Sequence, residues 1–497
     1  MFDGGIFLDR DATREVGEGP AQAVARLDRF GIAQALAASF KAINFDEPEG
    51  NALTLAACRA SGGRLVPMAV LSPLRYRTGA VADAQRAGFA AVAAFPQLAG
   101  GGVRDYTMLA MAREAAEAGM PMQIGIHSRE ELADVAQRLA PTGARLLVRW
   151  MRGGGYTTIA DVIAAGQSCP NLLFDVGTTS QTGAIELLVQ ELGAGRLFLA
   201  SNLPHAYEGA AYFMLWSAGL SDRDRAQIAA GTLAQAVGIA CNATAAPPLF
   251  ERFRAQPKFD THWHTSGWNL IEPAIDQRRI AETFTQFTYD IAVSSSIRAL
   301  NDDLAAGNAE TASWMDVEPR GRGYIAVNPL QIEKSLAEIE RHRSDPRFVG
   351  IKTIQDFYRT DLTHPGYQAI FDKVATMPGW TVMAHVPGLA AMAERNPALT
   401  FLAAHSTWRY KEFAHLPNVY CDIATSTALR HETDLPGLIA AVGRDRVVFS
   451  SDGQLMSPAW TLGKLASIGM SEADLSYICR HTPCRALPRL SAAGQTA

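Results

Sequence analysis

Short runs of apolar residues recur along the whole chain, separated by Ala-rich stretches of helical character. Arg145–Val148, Leu172–Val176 and Leu197–Ala200 are examples from the first half; Thr381–Ala384, Leu399–Ala404 and Arg446–Ser450 come from the second. Strand-length runs without alternation are apolar on both faces. Alternating with helices, they indicate a parallel sheet covered on both sides.

The runs also repeat. Phe2–Phe7 lines up with Phe259–His264, and Arg64–Pro73 resembles Gly323–Pro329, each an apolar run closed by a proline. Gly88–Val92 falls where Arg347–Ile351 does, Cys169–Asp175 matches Leu416–Asp422, and Gly195–Asn202 matches Asp445–Asp452. The offset stays near 250 residues, so the pattern reads as a tandem duplication. About 240 residues per copy suits one closed (β/α)8 barrel, near the lower end of that fold's size range; a doubly wound open sheet is the structural alternative. The expected organisation is α/β, two tandem (β/α)8 TIM-like barrels. A first copy spans 1–242, a connector 243–258 contains Ala-Ala-Pro-Pro, and a second copy spans 259–497.

Composition narrows the function classes. With 48% apolar and 19% charged residues, a disordered chain is excluded. A net charge of −5 gives no electrostatic reason to expect nucleic acid, and no Lys/Arg run offers a membrane surface a hold. Six scattered cysteines without a CxxC argue for a reducing compartment. The first residues lack a basic and apolar leader, and no apolar stretch is long enough to span a bilayer. A cytoplasmic protein is the expectation. Asn242-Ala-Thr244 fits a glycosylation acceptor and is read as chance in that setting.

Histidine is unevenly placed. Of eleven, only His127 and His205 precede residue 250, so imidazole chemistry belongs to the second half. There, polar residues end successive apolar runs: His262 and His264 in Asp-Thr-His-Trp-His, Lys352, His385, His405 and Asp452. On a strand, residues i and i+2 share a face, so His262 and His264 point together toward the barrel axis and can hold one metal ion. In a barrel the carboxyl ends of all strands converge on one mouth, where residues distant in sequence meet.

This ordered set resembles the amidohydrolase superfamily, in the compact branch containing small-molecule hydrolases and metal-dependent decarboxylases. The resemblance covers 259–490 and, in degraded form, 2–240. It implies that His262, His264, His385 and Asp452 are metal ligands. It also implies that His405 is a catalytic histidine outside the ligand set or a ligand to a second metal. Such donors suit a divalent ion, zinc first, manganese or iron otherwise. Asp452 would act as general base and His405 would hydrogen-bond the substrate carbonyl. Lys352 has two readings: carboxylated and bridging two metals, or an ammonium that meets substrate beside one. Arg298, Arg359 and Arg409 near strand ends would clamp a substrate carboxylate, and Trp263, Trp268 and Trp408 would line a pocket.

The first copy has lost this set. Gly5 and Phe7 stand at the places of His262 and His264, Ala93 near that of Lys352, Arg149 or Trp150 at that of His405, and Asn202 at that of Asp452. His127 echoes His385 about two residues out of register. The expected function is therefore a metal-dependent hydrolase of a C–N or C–O bond in a small carbonyl substrate, a lactone, amide or ester. Alternatives are a decarboxylase or carbon–carbon lyase on the same ligands, and a non-catalytic binding protein. The partner is a small molecule, a carboxylate among the candidates, with the degenerate barrel pairing with the live one in the same chain and a homo-oligomer left open.

Overall fold

The computed structural model describes the chain except residues 12–15, 99, 152–157, 242–245, 270–276 and 494–497. The Asn242–Thr244 acceptor motif lies outside the described residues. Two compact units result: Met1–Glu251 with Ser426–Glu432, and Arg252–Thr425 with Thr433–Ala497. The expected connector carries a helix, Pro248–Ala255. The sequence bounds of the two copies stay a proposal about repeat units, distinct from this division by packing.

In unit 1 the strands are β1 (Phe2–Asp11), β2 (Val16–Glu18), β3 (Gln34–Ser39), β4 (Leu65–Val70), β5 (Ala91–Ala94), β6 (Met122–Ile126), β7 (Leu146–Trp150), β8 (Leu172–Asp175) and β9 (Leu197–Phe198). Their order is β2-β1-β3-β4-β5-β6-β7-β8-β9, parallel except for the β1–β2 pair. Closure comes from the chain after β9: Gly4 N donates to Leu199 O at 2.6 Å and Phe7 N to Leu203 O at 2.7 Å.

Unit 2 follows the same plan with β10 (Lys258–Thr265), β11 (Tyr289–Ser296), β12 (Gly321–Ala326), β13 (Phe348–Thr353), β14 (Thr381–His385), β15 (Thr400–Ala404), β16 (Val419–Asp422) and β17 (Val447–Val448), neighbours in that order. Thr261 N donates to Phe449 O at 3.2 Å and Gly453 N to His262 O at 3.3 Å, which closes the ring. Both units are TIM-like α/β barrels. Among the described residues no helix is long and apolar enough to cross a membrane.

Local devices recur at matching places. Ser39 caps the helix Phe40–Asn44 through Lys41 N, and Ser296 caps Ile297–Asn301 through Arg298 N, each at 3.1 Å. Asp46 and Asp303 cap the next helices at 2.8 and 3.0 Å; such caps contribute about 1 kcal/mol each. Those helices then approach so closely that a Cβ on Gly50 or Gly307 would stand 2.1 Å from a backbone nitrogen. The barrel interiors are apolar: Phe2, Leu36, Met68 and Leu147 belong to one cluster, Val293, Tyr324, Met383 and Leu402 to another. Each such buried side chain stabilises the fold by about 1.5–3 kcal/mol.

Candidate metal centre

The polar residues of unit 2 gather at the carboxyl ends of its strands. His262 and His264 share one face of β10, as the two-residue strand period requires. Their Nε2 atoms are 3.2 Å apart. Asp452 follows β17, and its Oδ1 lies 3.3 Å from His262 Nε2 and 3.2 Å from His264 Nε2. All three side chains are buried.

The tautomers follow from the outer partners. His264 Nδ1 faces the Ser295 carbonyl at 3.1 Å, so it carries the proton and donates. His262 Nδ1 donates to Asp422 Oδ2 at 2.6 Å. Both Nε2 atoms therefore present lone pairs to the same point. Asp452 Oδ1, also aimed there, is buried without a hydrogen bond. Two lone pairs and a carboxylate oxygen with no proton between them repel one another, and the Lys352 ammonium, 3.0 Å from His262 Nε2, meets just one of the three. A divalent ion fits this donor set, each imidazole held by an acceptor behind it.

Electrostatics agree. Burial would raise the Asp452 carboxyl, but the surrounding His262, His264 and His405 rings outweigh it and hold the group well below the usual carboxylate range. Burial, with the Lys352 charge next, pushes His262 down. Lys352, at the end of β13, is fully buried, and its Nζ lies 3.0 Å from His262 Nε2; burial pushes its ammonium down to about 8.

His405 follows β15 in left-handed backbone, φ 55°, as does Asp452 at φ 56°. Non-glycine residues seldom adopt this conformation, and such strain concentrates at functional sites. His405 Nδ1 donates to the Ala424 carbonyl at 2.7 Å, leaving Nε2 4.0 Å from Asp452 Oδ2. A neutral His405 thus accepts at Nε2 and donates there only as imidazolium. His385 packs edge-on against His405, ring centroids 5.0 Å apart, and its Nδ1 meets Asp356 Oδ2 at 2.9 Å. It stands beside the triad without joining the His262–His264–Asp452 atoms that lie within mutual reach.

The other expected residues are placed less centrally. Trp263 points away from its histidine neighbours, packed on Phe284 at 4.8 Å and Tyr289 at 5.9 Å, 2% exposed. The expectation that it lines the mouth is corrected: strand alternation sends it to the barrel's outer layer. Gly453 accommodates it, since a Cβ there would meet the indole at 1.8 Å. Arg298 lines a surface cavity of about 390 Å³ with Trp268 and Glu310. Arg409 is engaged by both Glu412 oxygens at 2.5 and 2.9 Å and stacks on Trp408. Arg359 is exposed in the turn after β13.

Asp422 was missed in the sequence. The available signal was its position at the end of an apolar run, matched by Asp175. Its carboxylate orients His262 and in turn accepts from Ser450 Oγ and Ala424 N, both at 2.6 Å.

Unit 1 keeps the frame without the donors. Asp3 accepts from Gly5 N, Ser201 N and Tyr212 OH at 2.9, 3.1 and 2.6 Å. Asp260 accepts from His262 N, Ser451 N and Tyr289 OH at 3.0, 3.1 and 2.7 Å. Gly5 thus takes the place of His262, and Asn202, again left-handed at φ 58°, that of Asp452. Strand register sets Val148 beside Phe174 and Ala403 beside Cys421, so with Asp175 matching Asp422 the counterpart of His405 is Trp150, and Arg149 matches Ala404. Arg149, fully buried, instead fills the axis. It donates to Gln123 Oε1 at 3.1 Å and to Gly5 O at 2.5 Å, with its guanidinium 4.8 Å above the Phe7 ring. A Cβ on Gly5 would lie 2.0 Å from its Nη1.

Residues 262–489 match the family model described as Amidohydrolase. No curated protein sequence matches the chain. Among solved structures, 2,6-dihydroxybenzoate decarboxylase from Rhizobium is 15% identical, covering 47% of this chain and 99% of its own at a TM-score of 0.37. The 5-carboxyvanillate decarboxylase from Sphingomonas paucimobilis is 12% identical over 47% and 99%, TM-score 0.38. A dihydroxybenzoic acid decarboxylase from Polaromonas sp. JS666, with bound manganese and 2-nitroresorcinol, is 15% identical over 47% and 97%, TM-score 0.36.

Proposed function

We propose, from the premise that residues 262–489 belong to the amidohydrolase family, that unit 2 is a metal-dependent hydrolase of a small carbonyl compound, an ester, lactone or amide. The observation supporting this reading is the convergence of two imidazole lone pairs and an unbonded carboxylate oxygen within 3.3 Å of one another.

His262, His264 and Asp452 would hold the ion, with His385 available from β14. When bound, a divalent ion acidifies water and polarises a carbonyl. Zinc is the first choice for two histidines and a carboxylate, manganese and iron the others. The Lys352 ammonium shares the His262 Nε2 lone pair and must yield it to the ion. One metal is the simpler reading.

The chain's own residues move the proton. Asp452 Oδ2 accepts a proton from the attacking water as general base. His405 Nε2, 4.0 Å away, takes that proton and becomes the imidazolium that can donate. It then hydrogen-bonds the carbonyl oxygen as charge develops and protonates the leaving group. The Ala424 carbonyl keeps His405 in the tautomer this relay needs. Arg298, exposed after β11 and 3.4 Å from Asp302, would offer its guanidinium to a substrate carboxylate. Unit 1, by contrast, reads as a copy of the same barrel that has exchanged its metal set for an arginine.

Screening zinc-loaded protein against ester, lactone and amide panels tests the assignment. His405→Gln is expected to lower kcat by about 10²–10⁴-fold with metal affinity retained. His262→Ala and Asp452→Ala are expected to abolish turnover; activity surviving both overturns the reading. Carbon dioxide release without incorporation of labelled water would assign a carbon–carbon lyase instead.

A further inference from the structure

Four consecutive residues, Asp422 to Thr425, hold both histidines on which the proposed chemistry depends. Asp422 Oδ2 receives His262 Nδ1, and the Ala424 carbonyl receives His405 Nδ1. This segment is gripped by the helix Pro458–Ser467. Lys464 Nζ donates to Thr425 O at 3.2 Å and Thr425 Oγ1 at 3.0 Å, with Ile423 O at 3.5 Å. Trp460 Nε1 donates to Thr425 O at 3.1 Å.

Lys464 is fully buried. Among the described residues no carboxylate lies within ion-pair distance of it; the charge that acts on it is that of Asp422. A buried ammonium surrounded by carbonyl oxygens is a poor way to stabilise a fold, because its desolvation is only partly offset. Unit 1 makes the same point. Its helix Glu208–Ser217 occupies the matching place, 250 residues earlier, as do Ser201 for Ser451 and the turns Gln227–Gly231 and Tyr477–His481. At the position of Lys464 that helix carries Met214, 3% exposed, and at that of Trp460 it carries Ala210. The barrel accepts an apolar side chain there when no metal set is present.

We infer that Lys464 is a positioning residue of the unit 2 centre. It fixes the Asp422–Thr425 backbone, which keeps the Asp422 carboxylate opposite His262 Nδ1 and the Ala424 carbonyl opposite His405 Nδ1, so that the His262 Nε2 lone pair faces the metal point. The inference rests on the metal-centre reading above and adds a residue one step removed from the ligands.

The test grafts the unit 1 residue into unit 2. Full-length Lys464→Met, stripped of metal, is titrated with zinc against a competing chelator, and its metal-free melting temperature is measured alongside. The expected result is zinc affinity weakened about 10–100-fold, the range for loss of an outer partner, with the melting temperature unchanged or raised. Wild-type affinity in a folded Lys464→Met overturns the inference, and so does a lowered melting temperature with affinity preserved. Should that variant not fold, Trp460→Phe decides. Zinc affinity weakened with the melting temperature held supports the inference, and unchanged affinity overturns it. His262→Ala serves as the reference: if it binds zinc as tightly as wild type, the metal-centre reading itself has failed, not merely the part given to Lys464.

Discussion

The two barrels solve one problem in opposite ways. Each brings buried carboxylates to its axis, Asp3 and Asp175 in unit 1, Asp260, Asp422 and Asp452 in unit 2. Buried charge has to be compensated. Unit 1 does so with a covalently attached cation, Arg149, whose guanidinium stands where the counterpart of His262 would project. Phe7, Phe40 and His205 stack around it, with 4.0 Å between the Phe40 and His205 centroids and 4.5 Å between Phe7 and Phe40. Unit 2 instead aims two imidazole lone pairs and a carboxylate oxygen at one point, where its own cation, Lys352, reaches His262 Nε2 and leaves Asp452 Oδ1 unbonded. The same frame thus yields a filled centre or a binding centre, and the identity of a few strand-end residues decides which.

This contrast can be broken from either side. The largest effect should come from Arg149→Met, which leaves Gln123 Oε1 and Gly5 O without their donor and removes the charge that acts on Asp175 and Asp3; breaking such a buried set costs about 3–5 kcal/mol. Urea unfolding should show that loss while zinc affinity stays at the wild-type value. A parallel loss of affinity would mean that the centres are not independent.

Next in size is the pair Asp422→Asn and Asp175→Asn. The two aspartates occupy matching places at the ends of β16 and β8, yet only Asp422 has a histidine to orient. Asp422→Asn should weaken zinc binding about 10–100-fold, and Asp175→Asn should leave it unchanged, both read by chelator competition.

The smallest effect is a pH slope. Burial pushes the Asp175 carboxyl up to about 7 from an ordinary value of 3.8. The native chain then holds a proton that the unfolded chain has released, so this group's contribution to stability falls as pH rises between about 4 and 7. Asp175→Asn should flatten that part of the stability profile. An unchanged slope would place the titration elsewhere.

Much of this was legible in the sequence. The His-x-His pair had to share a face because strands alternate, and Lys352, His385, His405 and Asp452 each ended an apolar run. What escaped depends on tertiary placement. A strand-end aspartate such as Asp422 reads like any other until His262 is set opposite it. Trp263 carries the same alternation that placed its neighbours, and the rule that aims them inward sends it outward. Arg149 reads as a register counterpart; only the folded barrel shows its guanidinium lying across the axis. The inclusion of Ser426–Glu432 in unit 1 leaves no trace in any local pattern.

The most direct test is the metal content of the intact chain, measured by elemental analysis after zinc loading and gel filtration, for wild type, His262→Ala and Arg149→Met. The account predicts one tightly held ion per chain in wild type and Arg149→Met, and none in His262→Ala. An ion retained by His262→Ala, or lost with Arg149, would contradict it.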